Sequence, residues 1–151
     1  MVLHPDVAER RGKPSRVRVP LEDADGEPAI LRATLLRTVG DCILVLHVTG
    51  CRFHQPALAR LAASHPRRGF PCVLIREPHN PFDERAIAVW TRGGRCGYIP
   101  RAQNPAMLGP LRALEEEHGL PIALHGELYA GDFGLAIVVE VPEVIEDAPH
   151  L

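Results

Sequence analysis

Lysine is all but absent from this sequence: Lys13 stands alone against sixteen arginines. A metal-dependent nuclease needs clustered carboxylates and usually a lysine to activate water, so this scarcity weighs against that chemistry. Cysteine is sparse as well. Cys42, Cys51, Cys72 and Cys96 are scattered and form no C-x-x-C pair, which argues against both a disulfide framework and a zinc site. Cys51 and His54 have a ligand-like spacing with His47 nearby, but two further well-placed ligands are missing, so no metal and no cofactor are expected. No apolar run approaches the roughly 18 to 20 residues of a membrane helix. Residues 1–18 are charged, contain proline and lack an apolar signal core. The expected location is therefore cytoplasmic, with no membrane partner. Internal repeats and low-complexity segments are also missing.

What is present suffices for one domain with a sizeable core and an added flap, in 151 residues of ordinary 46% hydrophobic content. The net charge of −2 by itself argues against nucleic acid, but its distribution reverses that impression. Residues 1–49 are balanced at seven basic and seven acidic groups. Residues 50–108 carry nine arginines and three acids, whereas residues 109–151 carry one arginine and nine acids. A phosphate backbone senses local charge, not the total.

Taken in order, residues 1–14 read as a loose tail. Alternating Arg16, Val17, Arg18 and Val19 suit a half-buried strand over 15–20. Strands are expected over 29–38 and 42–49, with residues 15–41 a candidate extension of the main domain and 42–141 its body. Pro56 opens a helix with Leu58, Leu61 and Ala62 on one face, ending by Ser64, and Arg67-Arg68-Gly69 is a basic loop. Residues 70–76 form a strand. Asn104 is expected to cap a second helix with Pro105 at its first position, Met107, Leu108, Leu111 and Leu114 on the core face, a break at Gly109-Pro110, and a stop at Gly119. Glu115-Glu116-Glu117 reads as a solvated face. A hairpin over 120–141 turns at Gly131-Asp132-Phe133-Gly134, and residues 142–151 form an acidic tail. Many short strands with two inserted helices fit a mainly β (α+β) fold: a small, OB-like, partly open β-barrel.

The stretch from Arg76 to Arg101 organises the chain. Pro78 and Pro81 fix a turn that the Asn80 side chain can close, a strand follows over 86–91, and Gly93-Gly94 supplies a reversal into a return strand ended by Pro100. An acidic, aromatic loop and a basic strand exit are thereby held together.

This stretch resembles the HIRAN domain. The carrying residues are Val48-Thr49-Gly50-Cys51-Arg52-Phe53, Arg76-Glu77-Pro78-His79-Asn80-Pro81-Phe82-Asp83, Ala86-Ile87-Ala88-Val89 and Cys96-Gly97-Tyr98-Ile99-Pro100-Arg101. The resemblance spans about residues 43–140. It implies an OB-like barrel of the kind found in fork-remodelling ATPases and in small stand-alone bacterial proteins. In the best understood member the domain holds the 3′-hydroxyl end of single-stranded DNA. The matching positions are Arg52, Phe53, Asn80, Phe82, Asp83, Tyr98 and Arg101. Phe53 and Phe82 stand where that member has tyrosines, and Tyr98 where it has a histidine, so stacking should survive while hydroxyl contacts of the two tyrosines would not. The expected partners are single-stranded DNA with a free 3′ end and a helicase, nuclease or other repair protein. ATPase parts are absent.

Read physically, Phe53, Phe82 and Tyr98 offer flat surfaces for bases, at roughly 1–3 kcal/mol per stacked base. Arg52 and Arg101 offer forked donors for phosphate. Asp83 in a basic groove repels phosphate and becomes useful if it accepts a hydrogen bond from a hydroxyl. Each residue also has a plainer reading: Asp83 capping the turn or pairing with Arg85, Asn80 closing the turn, the two Phe residues in the core, Tyr98 and Arg101 at a strand edge. His54 and His79 read as surface histidines. The competing function is a protein-binding adaptor that recruits a partner through the acidic C-terminal region, without direct DNA contact.

Overall fold

The computed structural model describes residues 15–22, 28–36, 44–64 and 69–142. The expected N-terminal tail, the acidic turn at 23–27, the link containing Cys42, the basic loop at Arg67-Arg68 and the acidic C-terminal tail lie outside the described residues. Among the described residues eight strands run in chain order as β1 (Ser15–Glu22), β2 (Pro28–Leu36), β3 (Leu44–His47), β4 (Phe70–Arg76), β5 (Ile87–Thr91), β6 (Gly94–Tyr98), β7 (Ile122–Gly131) and β8 (Gly134–Val141). Two helices are inserted, α1 (Gln55–Ala63) and α2 (Asn104–His118), each preceded by one 3-10 turn, Cys51–Phe53 and Arg101–Gln103.

All strands belong to one sheet with the order β1-β2-β7-β4-β5-β6, and β8 lies between β3 and β7. Strand β7 changes partner along its length. Its first residues pair parallel with β2, at Thr34 to Ile122 through Leu36 to Leu124, and from Gly126 onward it pairs antiparallel with β8. Its other edge is taken by β4. Strands β3, β8, β7, β4, β5 and β6 therefore curl into a barrel wall, and β1–β2 branches from it as a hairpin.

Among the described residues no ladder closes that barrel. Instead a single bridge joins Thr49, just past β3, to Tyr98 at the end of β6. The Thr49 N–H donates to the Tyr98 carbonyl at 2.8 Å, and the Tyr98 N–H returns a bond to the Thr49 carbonyl at 2.9 Å. Gly97 makes the approach possible, because a Cβ there would collide with the Thr49 carbonyl and the Val48 side chain. The partly open, mainly β architecture matches the sequence expectation.

Strand β4 reads as an unbroken apolar run because both of its faces are covered. Phe70, Cys72 and Leu74 face the main core with Ile87, Val89, Ile122, Leu124 and Ile137. On the outer face Val73 meets Val19, Ala33 and Ala123, with Val17, Leu31 and Trp90 packed around them. The period-2 pattern of β1 thus points its valines inward onto the barrel wall and its arginines outward.

Several boundaries differ from the sequence expectation. Strand β1 runs to Glu22 and β3 ends at His47, while the expected continuation of β2 past Leu36 and the expected start of β3 before Leu44 lie outside the described residues. In α1 the buried face is Ala57, Leu58 and Leu61, with Ala62 half-buried. Helix α2 continues through Gly109-Pro110. An interior proline costs about 3 kcal/mol, whereas burying Met107, Leu111 and Leu114 gains roughly 1.5–3 kcal/mol for each side chain, so packing wins. Asn104 is the first residue of α2, not its cap, and Gln103 at the cap position makes no side-chain cap bond. Glu115 is not simply solvated, since its carboxylate takes the Arg76 Nε at 2.8 Å. Gly119 ends the helix at φ 68°, as its position implied. The β5–β6 loop is only Arg92-Gly93, and Gly93 is required by space, since a Cβ would strike the Ala57 carbonyl of α1.

The bridge sets an expected outcome. Gly97→Ala should destabilise the fold by about 1–3 kcal/mol through forced overpacking, read as a lower urea midpoint at unchanged slope.

Candidate functional site

The loop between β4 and β5 is held by its own side chains. Asn80 Oδ1 accepts the backbone N–H groups of Phe82 at 2.9 Å and Asp83 at 3.1 Å, closing the turn set up by Pro78 and Pro81. Backbone bonds from Glu77 to Ala86, from Asn80 to Glu77 and from Ala86 to Asp83 complete it. With the backbone so constrained, Phe82 points outward and is 88% exposed.

Asp83 is half-buried, its side chain 19% exposed. One carboxylate oxygen accepts the Arg85 backbone N–H at 2.9 Å. The other accepts the Asn104 amide at 3.1 Å and lies 3.7 Å from Nε of Arg101, whose side chain is 81% exposed. Asp83 thus caps the loop, as its plainer reading held, through the Arg85 backbone, and its ion-pair partner is Arg101. It still lines a shallow depression of about 350 Å³ with Phe82, Arg85, Arg101 and Asn104. Asn104 is buried, and its amide oxygen has no hydrogen-bond partner among the described residues. Such a group costs about 1–3 kcal/mol, which marks this corner as polar strain retained next to the carboxylate.

Glu77 is the hub that sequence reasoning missed as a site residue. Its Oε1 accepts the Asn80 amide at 2.9 Å and the Tyr98 hydroxyl at 3.0 Å, and Oε2 lies 3.3 Å from Arg95 Nη1. The signal was available: an acid at the head of the turn, in a block with nine arginines, needs several donors. Burial, then the bond to Glu77, raises the Tyr98 pKa above its ordinary value. Arg95 also sits over the Tyr98 ring at 5.8 Å. His54, whose ring centroid lies 6.4 Å from that of Tyr98, has its pKa lowered, first by burial and then by Arg95.

Arg52 and Phe53 lie in the 3-10 turn that follows the Thr49 bridge. The Arg52 guanidinium is 4.6 Å from the Phe53 ring centroid and 5.5 Å from that of Phe133, at the β7–β8 turn. Both rings are 72% exposed. Gln55 fixes this arrangement: its Nε2 donates to the carbonyls of Cys51 and Leu135, and its Oε1 accepts the Leu135 N–H. Phe133 was not foreseen as a site residue, since only the fold brings residue 133 beside residue 53.

The seven positions singled out from sequence therefore fall into two groups. Arg52 and Phe53, joined by Phe133, form one; Phe82, Asp83 and Arg101, joined by Asn104, form the other. Asn80 and Tyr98 stand between them, tied through Glu77. Neither Phe53 nor Phe82 is in the core. Cys51, His54 and His47 do not converge: Cys51 is buried with its thiol on the Val48 carbonyl, and His47 bonds the Tyr129 hydroxyl. Among the described residues no group of three or more His, Cys, Asp or Glu could hold a metal ion, and no helix is long and apolar enough to cross a membrane.

No family model and no curated protein matches the sequence. Two solved structures do resemble the fold. The chain is similar to a protein from Lactobacillus plantarum at 23% identity and a TM-score of 0.40, covering 83% of this chain and 98% of that one. It is similar to the HIRAN domain of human HLTF at 20% identity and a TM-score of 0.40, covering 70% of this chain and 81% of that one. The functional reading rests on the side chains above.

The Glu77 hub sets a titration outcome. The protonated Tyr98 favours the fold, so its contribution is in place below the unfolded value of 10.0 and is lost as pH rises through the folded value. Phenolate absorbance, taken as a difference against Tyr98→Phe, should show Tyr98 titrating above that value. Glu77→Gln should lower it part of the way, leaving the share due to burial.

Proposed function

We propose that this chain is a non-catalytic module that binds the 3′-hydroxyl end of single-stranded DNA. The observation that carries the reading is the outward-facing ring of Phe82 beside a half-buried carboxylate and an exposed arginine at one depression, with the exposed rings of Phe53 and Phe133 in a second group. An unstacked terminal base can lie on Phe82, and neighbouring bases on Phe53 and Phe133, each stack being worth roughly 1–3 kcal/mol. Arg52 lies against both of those rings and offers phosphate a donor at the same place.

Asp83 and Arg101 divide the end between them. Arg101 is exposed and reaches a phosphate. Asp83 has lone pairs beyond those taken by Arg85 and Asn104, and a terminal hydroxyl can donate to one of them. A phosphorylated terminus would instead meet the carboxylate with like charge. Asn80, Glu77 and Tyr98 hold the geometry. The resemblance of the Glu77–Asp83 segment to the HIRAN domain supports the same assignment, and a replication-fork or repair setting, with a helicase or nuclease supplying the chemistry, fits a module without its own.

The test is a titration of a short labelled strand ending in a 3′-hydroxyl beside the same strand ending in a 3′-phosphate, at two salt concentrations. The hydroxyl end should bind more tightly, and both should weaken with salt. Asp83→Asn should erase most of the difference between the ends while leaving overall affinity equal or higher. The fold should tolerate the change, because Asn104 can turn its amide over to meet the introduced one. Arg101→Ala should weaken both ends alike. Equal affinity for the two ends in the wild type defeats the reading, and no binding at low salt favours a protein-binding adaptor.

A further inference from the structure

A second cationic surface lies on the β1–β2 hairpin, outside the aromatic site. Arg16 and Arg18, two residues apart on β1, stand on one face about 7 Å from each other. Arg32 of β2 is the direct cross-strand partner of Arg18. All three are exposed, and their guanidinium groups have no ion-pair partner among the described residues. Like charges placed directly opposite across an antiparallel pair are destabilising, so the Arg18–Arg32 pairing is unfavourable taken by itself. Nothing in the hairpin's packing calls for it, since Val17, Val19, Leu31 and Ala33 on the other face do the packing.

Two concavities meet at Arg18. One, of about 400 Å³, is lined by Arg16, Arg18, Arg32 and His118 with the end of α2. The other, of about 220 Å³, runs from Arg18 past Phe70 to Arg92 in the β5–β6 turn, and Arg92 too has no ion-pair partner among the described residues. Neither lining contains an acidic residue among the described ones, in contrast to the Asp83 depression. Neither contains an exposed aromatic ring, since Phe70 is buried.

We infer that this arginine tract binds the phosphodiester backbone of duplex DNA. Arg16, Arg18, Arg32 and Arg92, strung along two adjoining concavities, suit a polyanion with closely repeated charges. The missing rings select the duplex: a single strand gains much of its affinity from stacking its bases on aromatic side chains, whereas a duplex hides its bases and presents phosphates alone. The inference rests on the end-binding reading for its biological sense, since a module holding a strand end then also grips the adjoining stem, but its physical basis is separate.

The experiment measures binding of a blunt duplex, and of a short single strand with a 3′-hydroxyl, across a salt series. It uses the full chain and the double variant Arg18→Ala, Arg32→Ala. For the duplex, the variant should lose close to two phosphate contacts, lowering the slope of log K against log salt by about 1.8 and weakening binding roughly tenfold or more at low salt. Its affinity for the short single strand should stay within about twofold. The paired change to lysine should restore the slope. Thermal unfolding should show the alanine variant at least as stable as the wild type, as relief of like-charge contact requires, which rules out misfolding as the cause of weaker binding. An unchanged duplex slope overturns the inference, as does absence of duplex binding at low salt, or inorganic tripolyphosphate binding in its place. If the duplex arm behaves as expected but the short strand fails to bind, the end-binding reading falls and the arginine tract stands.

Discussion

The bridge between Thr49 and Tyr98 is the constraint on which the site depends. It is made of two backbone hydrogen bonds, and it is what brings the segment leaving β3 against the end of β6. On one side of it the chain turns at once into the 3-10 element carrying Arg52 and Phe53. On the other, Ile99 bonds back to Ile87 and the chain proceeds through Pro100 to Arg101. A barrel sealed by a full ladder would have buried these exits in regular pairing. Closure at one point leaves both free to present side chains, and the missing side chain of Gly97 is the condition for it.

Around that closure the polar groups form a relay, not a cluster. Glu77 answers Asn80, Tyr98 and Arg95 together, so the loop before β5 and the end of β6 share one carboxylate. Asp83 does the same for Arg85, Asn104 and Arg101. In a block with nine arginines, Glu77 and Asp83, two of its three acids, are each engaged several times over. The rings at 53, 82 and 133 stand outward from this framework.

Much of this was legible in the residues themselves. Strand β4 coincides with its apolar run, the alternation of Arg16 to Val19 gave the sided character of β1, and Asn80 closes the turn that two prolines prescribe. Gly119 stops α2 where its freedom at positive φ implied. What was not legible came from long-range packing. The helix passes Pro110 because three core side chains outweigh one lost bond. Asn104 resembles a cap by type and position, yet its amide is drawn to Asp83 from across the fold. Phe133 carries no local mark of a role, since long-range contacts, the β3–β8 pairing and the Gln55 bonds across eighty residues, seat its hairpin beside Phe53.

The interior thiols carry a different consequence. Cys51, Cys72 and Cys96 are unpaired and buried, and burial lifts all three above the ordinary thiol range, Cys96 to about 11. At neutral pH they hold their protons and are shielded from bulky electrophiles, which makes them poor nucleophiles. A dye or spin label attached through a cysteine engineered at an exposed position would therefore have little competition from these three.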